Sequence, residues 1–157
     1  MSNAETIQVR VKSVTWEAEG ITSFELRPMP PRKELPPFTA GAHIDLHLPN
    51  GTIRSYSLLN SQHERHRYVI GVNKDPASRG GSRYMHETLR AGDTLAISAP
   101  RNNFALDESA AHTVLVAGGI GITPLMGMIE RLRTLGKPWR LHYAARTRQQ
   151  CAFVDQL

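Results

Sequence analysis

Three segments of the chain combine residue types that can bind phosphate or a flat ring. The first is residues 54–58, which read Arg-Ser-Tyr-Ser-Leu. On a strand, Arg54 and Tyr56 would point to one side, with Ser55 and Ser57 on the other. An arginine can hold a phosphate through two hydrogen bonds, and a tyrosine offers its face to a conjugated ring. On their own, these five residues still favour an ordinary edge strand with a surface arginine.

The second segment is a glycine-rich turn that precedes a predicted helix. Residues 80–83 read Gly-Gly-Ser-Arg, and Ser82 is predicted as the N-cap of the helix. Glycines at a helix start let an anion approach exposed backbone N–H groups, and the Ser82 hydroxyl could bond a phosphate oxygen. A plain glycine-rich loop with a serine cap explains the same residues, and both interpretations stay open.

The third segment has the context of a dinucleotide-binding loop. Residues 116–124 read Val-Ala-Gly-Gly-Ile-Gly-Ile-Thr-Pro, after an apolar run and before a helical pattern. Pro124 occupies the place of the usual last glycine, and proline suits the first turn of a helix. The acidic residue expected after the next strand is missing, and Arg146 stands there instead. Three glycines in four residues exceed what a tight turn requires, which favours nucleotide binding.

The first hundred residues predict a small closed barrel that carries the first two segments. A proline-rich loop at residues 28–37 and the Asn50-Gly51 hairpin signal separate the strands, and one helix interrupts them. Period-two alternation and turn residues predict six antiparallel strands, at about residues 7–12, 21–26, 43–48, 53–59, 67–73 and 95–99.

The pattern changes after about residue 111. A buried strand at residues 112–117, a helix at 124–135 and a strand at 139–145 form one strand–helix–strand unit, and we expect the chain to end within a second helix. One such unit cannot make a covered parallel sheet, so the second domain is expected to be incomplete. The predicted domains are residues 1–107 and 108–157. The predicted fold class is a β barrel followed by a partial α/β domain.

Composition disfavours several other classes of protein. The 157 residues carry a formal net charge of +5, but the basic residues are dispersed, which argues against nucleic-acid binding. No stretch reaches membrane-spanning length. Cys151 is the only cysteine, so intramolecular disulfides and cysteine-rich zinc sites are excluded, and a cytoplasmic location is expected.

A metal site can also be considered on the third predicted strand. His43, Asp45 and His47 share one face of that strand and could together ligate zinc or iron. Alternation with apolar residues already explains them as the polar outer face of a barrel strand. No metal site is therefore predicted.

The order of the three segments resembles the ferredoxin-reductase superfamily. Residues 71–74, Gly-Val-Asn-Lys, and 99–104, Ala-Pro-Arg-Asn-Asn-Phe, make the phthalate dioxygenase reductase type the most similar branch, which includes vanillate demethylase reductase subunits. The resemblance covers essentially the whole chain. It implies a six-stranded antiparallel Greek-key flavin barrel, the start of a nicotinamide-binding domain, and FMN rather than FAD. The C-terminal [2Fe–2S] ferredoxin domain of the family, with its four cysteines, is absent from these 157 residues.

The resemblance also implies roles for individual residues around the FMN. Ser57 would hydrogen-bond the flavin near its reactive N5 atom and is expected to be catalytic. Tyr56 would flank the isoalloxazine ring. The residues expected to complete the FMN site, from the phosphate outward, are Arg54, Gly81, Ser82, Lys74, Val72 and Ser55.

On the nicotinamide side, the resemblance implies a second set of residues. Gly119, Gly121 and Thr123 would border the nicotinamide and the pyrophosphate, and Thr123 is also expected to be catalytic. Arg146 would lie near the adenosine.

The implied function is that of an oxygenase reductase component. The intact protein would move electrons from NADH or NADPH through FMN to a [2Fe–2S] cluster, and then to an oxygenase partner. This chain alone is expected to be weakly active or inactive. Two alternatives remain open: a flavin-binding module without turnover, and a phosphate-lined barrel for protein interactions that binds no flavin.

Overall fold

The computed structural model describes residues 6–157 of the chain. These residues form eight strands, arranged in two sheets, and two α-helices. In chain order they are β1 (Ile7–Ala18), β2 (Ile21–Pro28), β3 (His43–His47), β4 (Ile53–Ser57), β5 (Tyr68–Asn73), α1 (Gly81–Glu87), β6 (Thr94–Ile97), β7 (Thr113–Gly118), α2 (Ile122–Thr134) and β8 (Trp139–Ala144).

The first six strands form one antiparallel sheet that curls into a barrel. Its strand order is β4-β3-β6-β1-β2-β5, so β6 returns to lie between β3 and β1, as in a Greek key. The two outer strands meet at an antiparallel bridge between Leu58 and Ile70. Alternate apolar side chains of all these strands except β4 are buried inside. The predicted fold class, a barrel followed by a partial α/β unit, is confirmed.

Strand β1 is twice as long as the prediction. Its pairing with β2 is irregular between Val11 and Ser13 and again between Trp16 and Ala18. Such a bulge shifts the side-chain alternation by one residue, so the period-two pattern in the sequence stops at the first irregularity although the strand continues.

The remaining strands and helix form the predicted strand–helix–strand unit. β7 and β8 pair in parallel, and Gly118 is the register partner of Ala144. Helix α2 covers one face of this pair, whereas Val114 and Val116 on the other face are exposed. The helix begins at Ile122 rather than at Pro124, because a proline is tolerated anywhere in the first turn, where its missing N–H has no acceptor.

The expectation that the chain ends within a second α-helix is wrong for the described residues. After β8 the described residues form only two short 3-10 turns, Arg148–Gln150 and Val154–Gln156. Between them, Phe153 has a left-handed backbone with φ of 65°. A left-handed residue cannot continue a right-handed helix, so the two turns cannot merge into one.

The barrel and the β7–α2–β8 unit pack directly on each other. A hydrophobic cluster separate from the barrel core joins them. It contains most of the apolar face of α2 and also the barrel residues Ala18, Ile21 and Ala40. The boundary between residues 107 and 108 stays a prediction. Among residues 6–157, neither helix has the length and apolarity that a membrane crossing requires.

Candidate cofactor and nucleotide sites

Strand β4 brings Arg54 against the start of helix α1. A Cβ atom placed on Gly81 would lie 2.8 Å from Arg54 Cγ and 2.9 Å from Arg54 Nε. A side chain at position 81 would therefore displace the Arg54 side chain from its present place. The guanidinium also donates a hydrogen bond to the Ile53 carbonyl oxygen at 2.8 Å. The structure thus brings together two residues that lie 27 positions apart in the sequence and that were both predicted to bind phosphate.

The start of α1 differs from the prediction, because Gly80 and not Ser82 is the N-cap. Gly80 has a φ of 104°, a left-handed conformation that glycine adopts without strain. The Ser78 hydroxyl accepts hydrogen bonds from the N–H groups of Gly80 and Arg83, and so it caps the start of the helix from outside the N-cap position. Ser82 lies within the first turn, where its hydroxyl accepts the Asp75 N–H at 3.1 Å. The hydroxyl hydrogen of Ser82 can still donate to a further acceptor.

The remaining residues of the β4 motif divide between the two faces of the strand. Tyr56 is half-buried and packs against the barrel core, and this burial raises the pKa of its phenol. Ser55 faces the other way and donates a 2.6 Å hydrogen bond to Asp45. Ser57 is paired in register with His43, and its hydroxyl bonds to none of the described residues. Of the two serines, only Ser57 has a hydroxyl without a protein partner in residues 6–157.

Val72 and Lys74 lie on and just beyond β5, and both are already in contact with α1. The Val72 side chain is buried in the barrel core, so it could meet a ligand only through its backbone. Its carbonyl oxygen accepts a 2.8 Å hydrogen bond from His86 Nε2. Lys74 Nζ lies 2.8 Å from Glu87 in an exposed ion pair. These contacts hold α1, and therefore Gly81, beside strand β5.

His86 is a residue that the sequence analysis did not single out as part of this site. Its second ring nitrogen, Nδ1, lies 3.4 Å from the Thr22 hydroxyl, and Thr22 is the register partner of Val72. One imidazole therefore joins α1 to both members of a β2–β5 pair. Because a lone histidine on a short helix carries no spacing signal, only the fold reveals this role.

The glycine loop between β7 and α2 faces open space. Cβ atoms added at Gly118, Gly119 or Gly121 would meet no atom within 4 Å. Gly119 has a φ of 53°, which explains that one glycine. Gly118 and Gly121 have φ values of −120° and −60°, which any residue adopts. Neither backbone conformation nor protein packing requires glycine at these two positions, and their missing side chains leave the loop backbone open to close approach.

Thr123, in the first turn of α2, differs from the exposed loop because its side chain is buried. Its hydroxyl donates a 3.0 Å hydrogen bond to the Ile120 carbonyl oxygen. Its methyl group faces β5, where a Cβ atom on Gly71 would lie only 2.9 Å from Thr123 Cγ2. Thr123 therefore contacts the barrel directly at the junction of the two units.

A cleft of about 640 Å³ opens between the barrel and the glycine loop. Lys74 and Gly20 line it on the barrel side. Gly118, Gly119 and Arg146 line it on the other side. Three of the predicted cofactor residues thus meet in one cleft, and it lies at the carboxyl edge of the β7–β8 pair, where parallel sheets bind ligands.

The polar face of β3 is engaged in protein contacts. Asp45 Oδ2 lies 2.6 Å from Arg101 Nη2, while its other oxygen accepts from Ser55. The Ser55 hydroxyl and the Arg101 guanidinium lower the pKa of the Asp45 carboxyl. No group of three or more metal-ligating side chains is found within residues 6–157.

Known proteins are similar to this chain in both fold and sequence. The solved structure of phthalate dioxygenase reductase, described as a modular structure for electron transfer from pyridine nucleotides to [2Fe–2S], matches with a TM-score of 0.92. It is 44% identical, and the match covers 97% of this chain and 47% of that one. No family model matches the chain.

Two curated relatives are more similar still. Phenoxybenzoate dioxygenase subunit beta of Ectopseudomonas oleovorans is 53% identical over 160 residues, which cover all of this chain and 50% of the relative. Tetrachlorobenzoquinone reductase of Sphingobium chlorophenolicum is 59% identical over 152 residues, which cover 97% and 47% respectively. The chain spans about half the length of the curated relatives it matches.

The barrel, the glycine loop and the parallel pair after it define the fold of the ferredoxin-reductase superfamily. Within that superfamily, the chain belongs to the branch of the phthalate and vanillate oxygenase reductases. The resemblance inferred from the sequence motifs is confirmed.

Proposed function

We propose that the protein containing this chain is the reductase component of an oxygenase system. In this role it takes electrons from NADH or NADPH, passes them through FMN, and delivers them by way of a [2Fe–2S] cluster to an oxygenase. The observation that most directly supports this proposal is the packing of Thr123 on Gly71, because it joins the β7–α2–β8 unit directly to the barrel. The single cysteine of this chain cannot hold such a cluster, which belongs to another part of the protein.

The residues present fit an FMN phosphate. Because Gly81 has no Cβ, the Arg54 side chain lies directly against the start of α1, and the Ser82 hydroxyl retains a hydrogen that it can donate. Arg54 would neutralise the phosphate, and Tyr56 would orient the ring from the barrel surface. FMN would supply an acceptor that takes two electrons together and releases them singly.

The remaining residues would position the nucleotide and the flavin ring relative to each other. Gly118 and Gly121 leave the loop backbone open to a pyrophosphate, and Arg146 supplies a cation in the wall of the cleft. Ser57 offers an unpaired hydroxyl at the end of β4, where it would hydrogen-bond the ring near N5. The packing of Thr123 on Gly71 would set the spacing between nicotinamide and flavin.

The test is a titration of the flavin-free protein with FMN and with riboflavin, which lacks the phosphate. Each charge-assisted contact to the phosphate should contribute about 1.5–3 kcal/mol, so FMN should bind more tightly by at least about tenfold. Arg54→Ala should remove most of that difference. Arg83→Ala, which removes an exposed arginine from helix α1, is the charge-matched control. Equal affinities for the two flavins in the unaltered protein would rule out a phosphate-centred site.

A second candidate acceptor comes from the tetrachlorobenzoquinone reductase, the more similar of the two curated relatives above. A quinone accepts electrons from a reduced flavin without an oxygenase. Steady-state oxidation of NAD(P)H by the intact protein, with a halogenated quinone or a purified oxygenase as acceptor, separates the two. Turnover with the quinone alone would favour the second candidate over an oxygenase partner.

A further inference from the structure

We propose that His86 is a positioning residue for flavin binding: its imidazole fixes helix α1 on the barrel, and α1 fixes the place of the Arg54 side chain. The inference rests on the proposed function, because it assumes that Arg54 holds the FMN phosphate. It goes further by assigning the strength of that contact to a residue that acts through Arg54 and not on the flavin itself.

Helix α1 needs contacts with the barrel to keep its position. It has only seven residues, and so short a helix is not stable without tertiary contacts. At its start, the Asn50 side-chain amide donates to the Gly80 carbonyl oxygen at 3.4 Å, and the Asp75 N–H donates to the Ser82 hydroxyl. Asn50 and Asp75 are exposed. The buried contacts that can fix the helix therefore lie closer to its other end.

Met85 and His86 contact the barrel at that end in two different ways. Met85 is fully buried in the barrel core. Apolar burial has no preferred direction, so this contact sets the depth of the helix but not its rotation. His86 Nε2, by contrast, lies 2.8 Å from the Val72 carbonyl oxygen. Because a carbonyl oxygen only accepts hydrogen bonds, Nε2 carries the hydrogen, and this directional bond sets the rotation of α1.

The second ring nitrogen of His86 holds the imidazole in that orientation. Nδ1 lies 3.4 Å from the Thr22 hydroxyl, which can donate or accept and so can pair with Nδ1 in either protonation state of the ring. Thr22 and Val72 are register partners on β2 and β5. Strand β5 is an outer strand of the sheet, and its bridge to β4 lies at Ile70. His86 therefore ties α1 to the barrel two residues beyond the point where the barrel closes.

The place of the Arg54 side chain depends on where α1 lies. A Cβ atom on Gly81 would be 2.8 Å from Arg54 Cγ, so the arginine stem already rests against the first residue of the helix. Gly81 and His86 belong to the same short helix and are separated by roughly 7.5 Å along its axis. A rotation of α1 about Met85 would move Gly81 relative to Arg54. The guanidinium would then lose the alignment that two parallel hydrogen bonds to a phosphate require.

The first measurement is a titration of the flavin-free intact protein with FMN and with riboflavin, in two variants that differ in the hydrogen-bond donor. His86→Gln keeps a side-chain nitrogen that can reach the Val72 carbonyl oxygen, whereas His86→Leu has no donor. Glutamine and leucine are both good helix formers, so helix propensity is matched. His86→Leu should lower the FMN affinity by about tenfold and leave the riboflavin affinity nearly constant, while His86→Gln should keep most of the preference for FMN.

The second measurement is the phosphorus NMR resonance of FMN bound to the same proteins. It should coincide in the unaltered protein and His86→Gln, and it should move towards the resonance of free FMN in His86→Leu. A loss of general stability alone would lower the affinities for FMN and riboflavin together and leave the resonance of bound FMN in place. That result, or an equal preference for FMN in the two variants, would overturn the role of His86.

Urea unfolding of the flavin-free proteins shows that each variant is folded. If His86→Leu does not fold, His86→Asn takes its place, because the shorter amide does not reach the Val72 carbonyl oxygen and the preference for FMN should again be lost. Equal binding of FMN and riboflavin by the unaltered protein would contradict the proposed phosphate site, and the role of His86 with it. A preference for FMN in the unaltered protein that survives both His86→Leu and His86→Asn would contradict the role of His86 alone.

Discussion

Gly71 of strand β5 and Thr123 of helix α2 approach so closely that a Cβ atom on the glycine would lie 2.9 Å from the threonine methyl carbon. Phe153 closes the same point from a third direction, with its Cζ 3.2 Å from that position. The barrel, α2 and the C-terminal segment therefore meet at one small residue. Any side chain at position 71 must push two units of the protein apart.

We expect Gly71→Ala to destabilise the protein by about 1–3 kcal/mol, because the added methyl overpacks a junction whose neighbours, Thr123 and Phe153, are buried. Urea unfolding measures the change. The same substitution should slow flavin reduction by the nucleotide in the intact protein, since a displacement of about 1 Å between reacting groups can cost on the order of a hundredfold in rate.

Gly118→Ala is the control for that prediction. Its Cβ would meet no atom within 4 Å, so the free energy of unfolding should stay within about 0.5 kcal/mol of the unaltered protein. Nucleotide binding should nevertheless weaken, because the methyl enters the cleft. A Gly118→Ala protein as destabilised as Gly71→Ala would contradict the packing argument.

Gly81→Ala should act through Arg54 and not through stability. The added Cβ would displace the Arg54 side chain, which is flexible enough to move. Alanine is also the better helix former, so unfolding should change by less than about 1 kcal/mol. FMN affinity should fall by about tenfold while riboflavin affinity stays nearly constant. Fluorescence titration with both flavins checks this, and an equal loss for the two would refute it.

Ser57→Ala should change the rate of flavin reduction more than the retention of flavin. The hydroxyl has no protein partner among the described residues, so its removal leaves no buried group unsatisfied. Most FMN should remain bound, and single-turnover reduction by the nucleotide should slow. Ser55→Ala is the matched control, because that hydroxyl faces Asp45. Equal reduction rates in the Ser57→Ala and unaltered proteins would remove Ser57 from the mechanism.

The Asp45 cluster gives a prediction about pH. The Ser55 hydroxyl and Arg101 lower the pKa of Asp45 in the folded state. A lowered pKa stabilises the fold above the ordinary aspartate value of about 3.9, and this stabilisation is lost as the pH falls through the folded value. The destabilisation by Ser55→Ala should therefore be largest at neutral pH and shrink below about pH 4. Urea unfolding measures this effect. In an Asp45→Asn background, the destabilisation caused by Ser55→Ala should not depend on pH in this range.

The barrel could be predicted from the sequence because its strands are half-buried. Alternation such as Ile44 and Leu46 against Asp45 and His47 reports both the strand and its inner face. The prediction was incomplete in β1, where bulges interrupt the alternation. It was wrong at the chain end, where Phe153 has a left-handed backbone that its residue type does not signal.

The candidate site was predictable only in part for a related reason. Motifs identify residue types, as with Arg54 and the glycine loop. They do not report which side chains meet across the fold. The Ser78 hydroxyl took the capping interaction expected of Ser82, and His86 links α1 to Val72 through a contact between residues 14 positions apart. Such pairings depend on how α1 lies on the sheet, which no short pattern encodes.

The barrel closes at one bridge, between Leu58 and Ile70, and this leaves most of β4 with a single neighbouring strand. The unpaired side of β4 is an exposed sheet edge at which two molecules could associate, and Ile53 on this edge is half exposed. Backbone groups on such an edge can pair with a strand of another molecule. A flavin held by Arg54 and Tyr56 would cover the same edge. Flavin-free protein should therefore aggregate at concentrations at which the flavin-loaded protein remains dispersed.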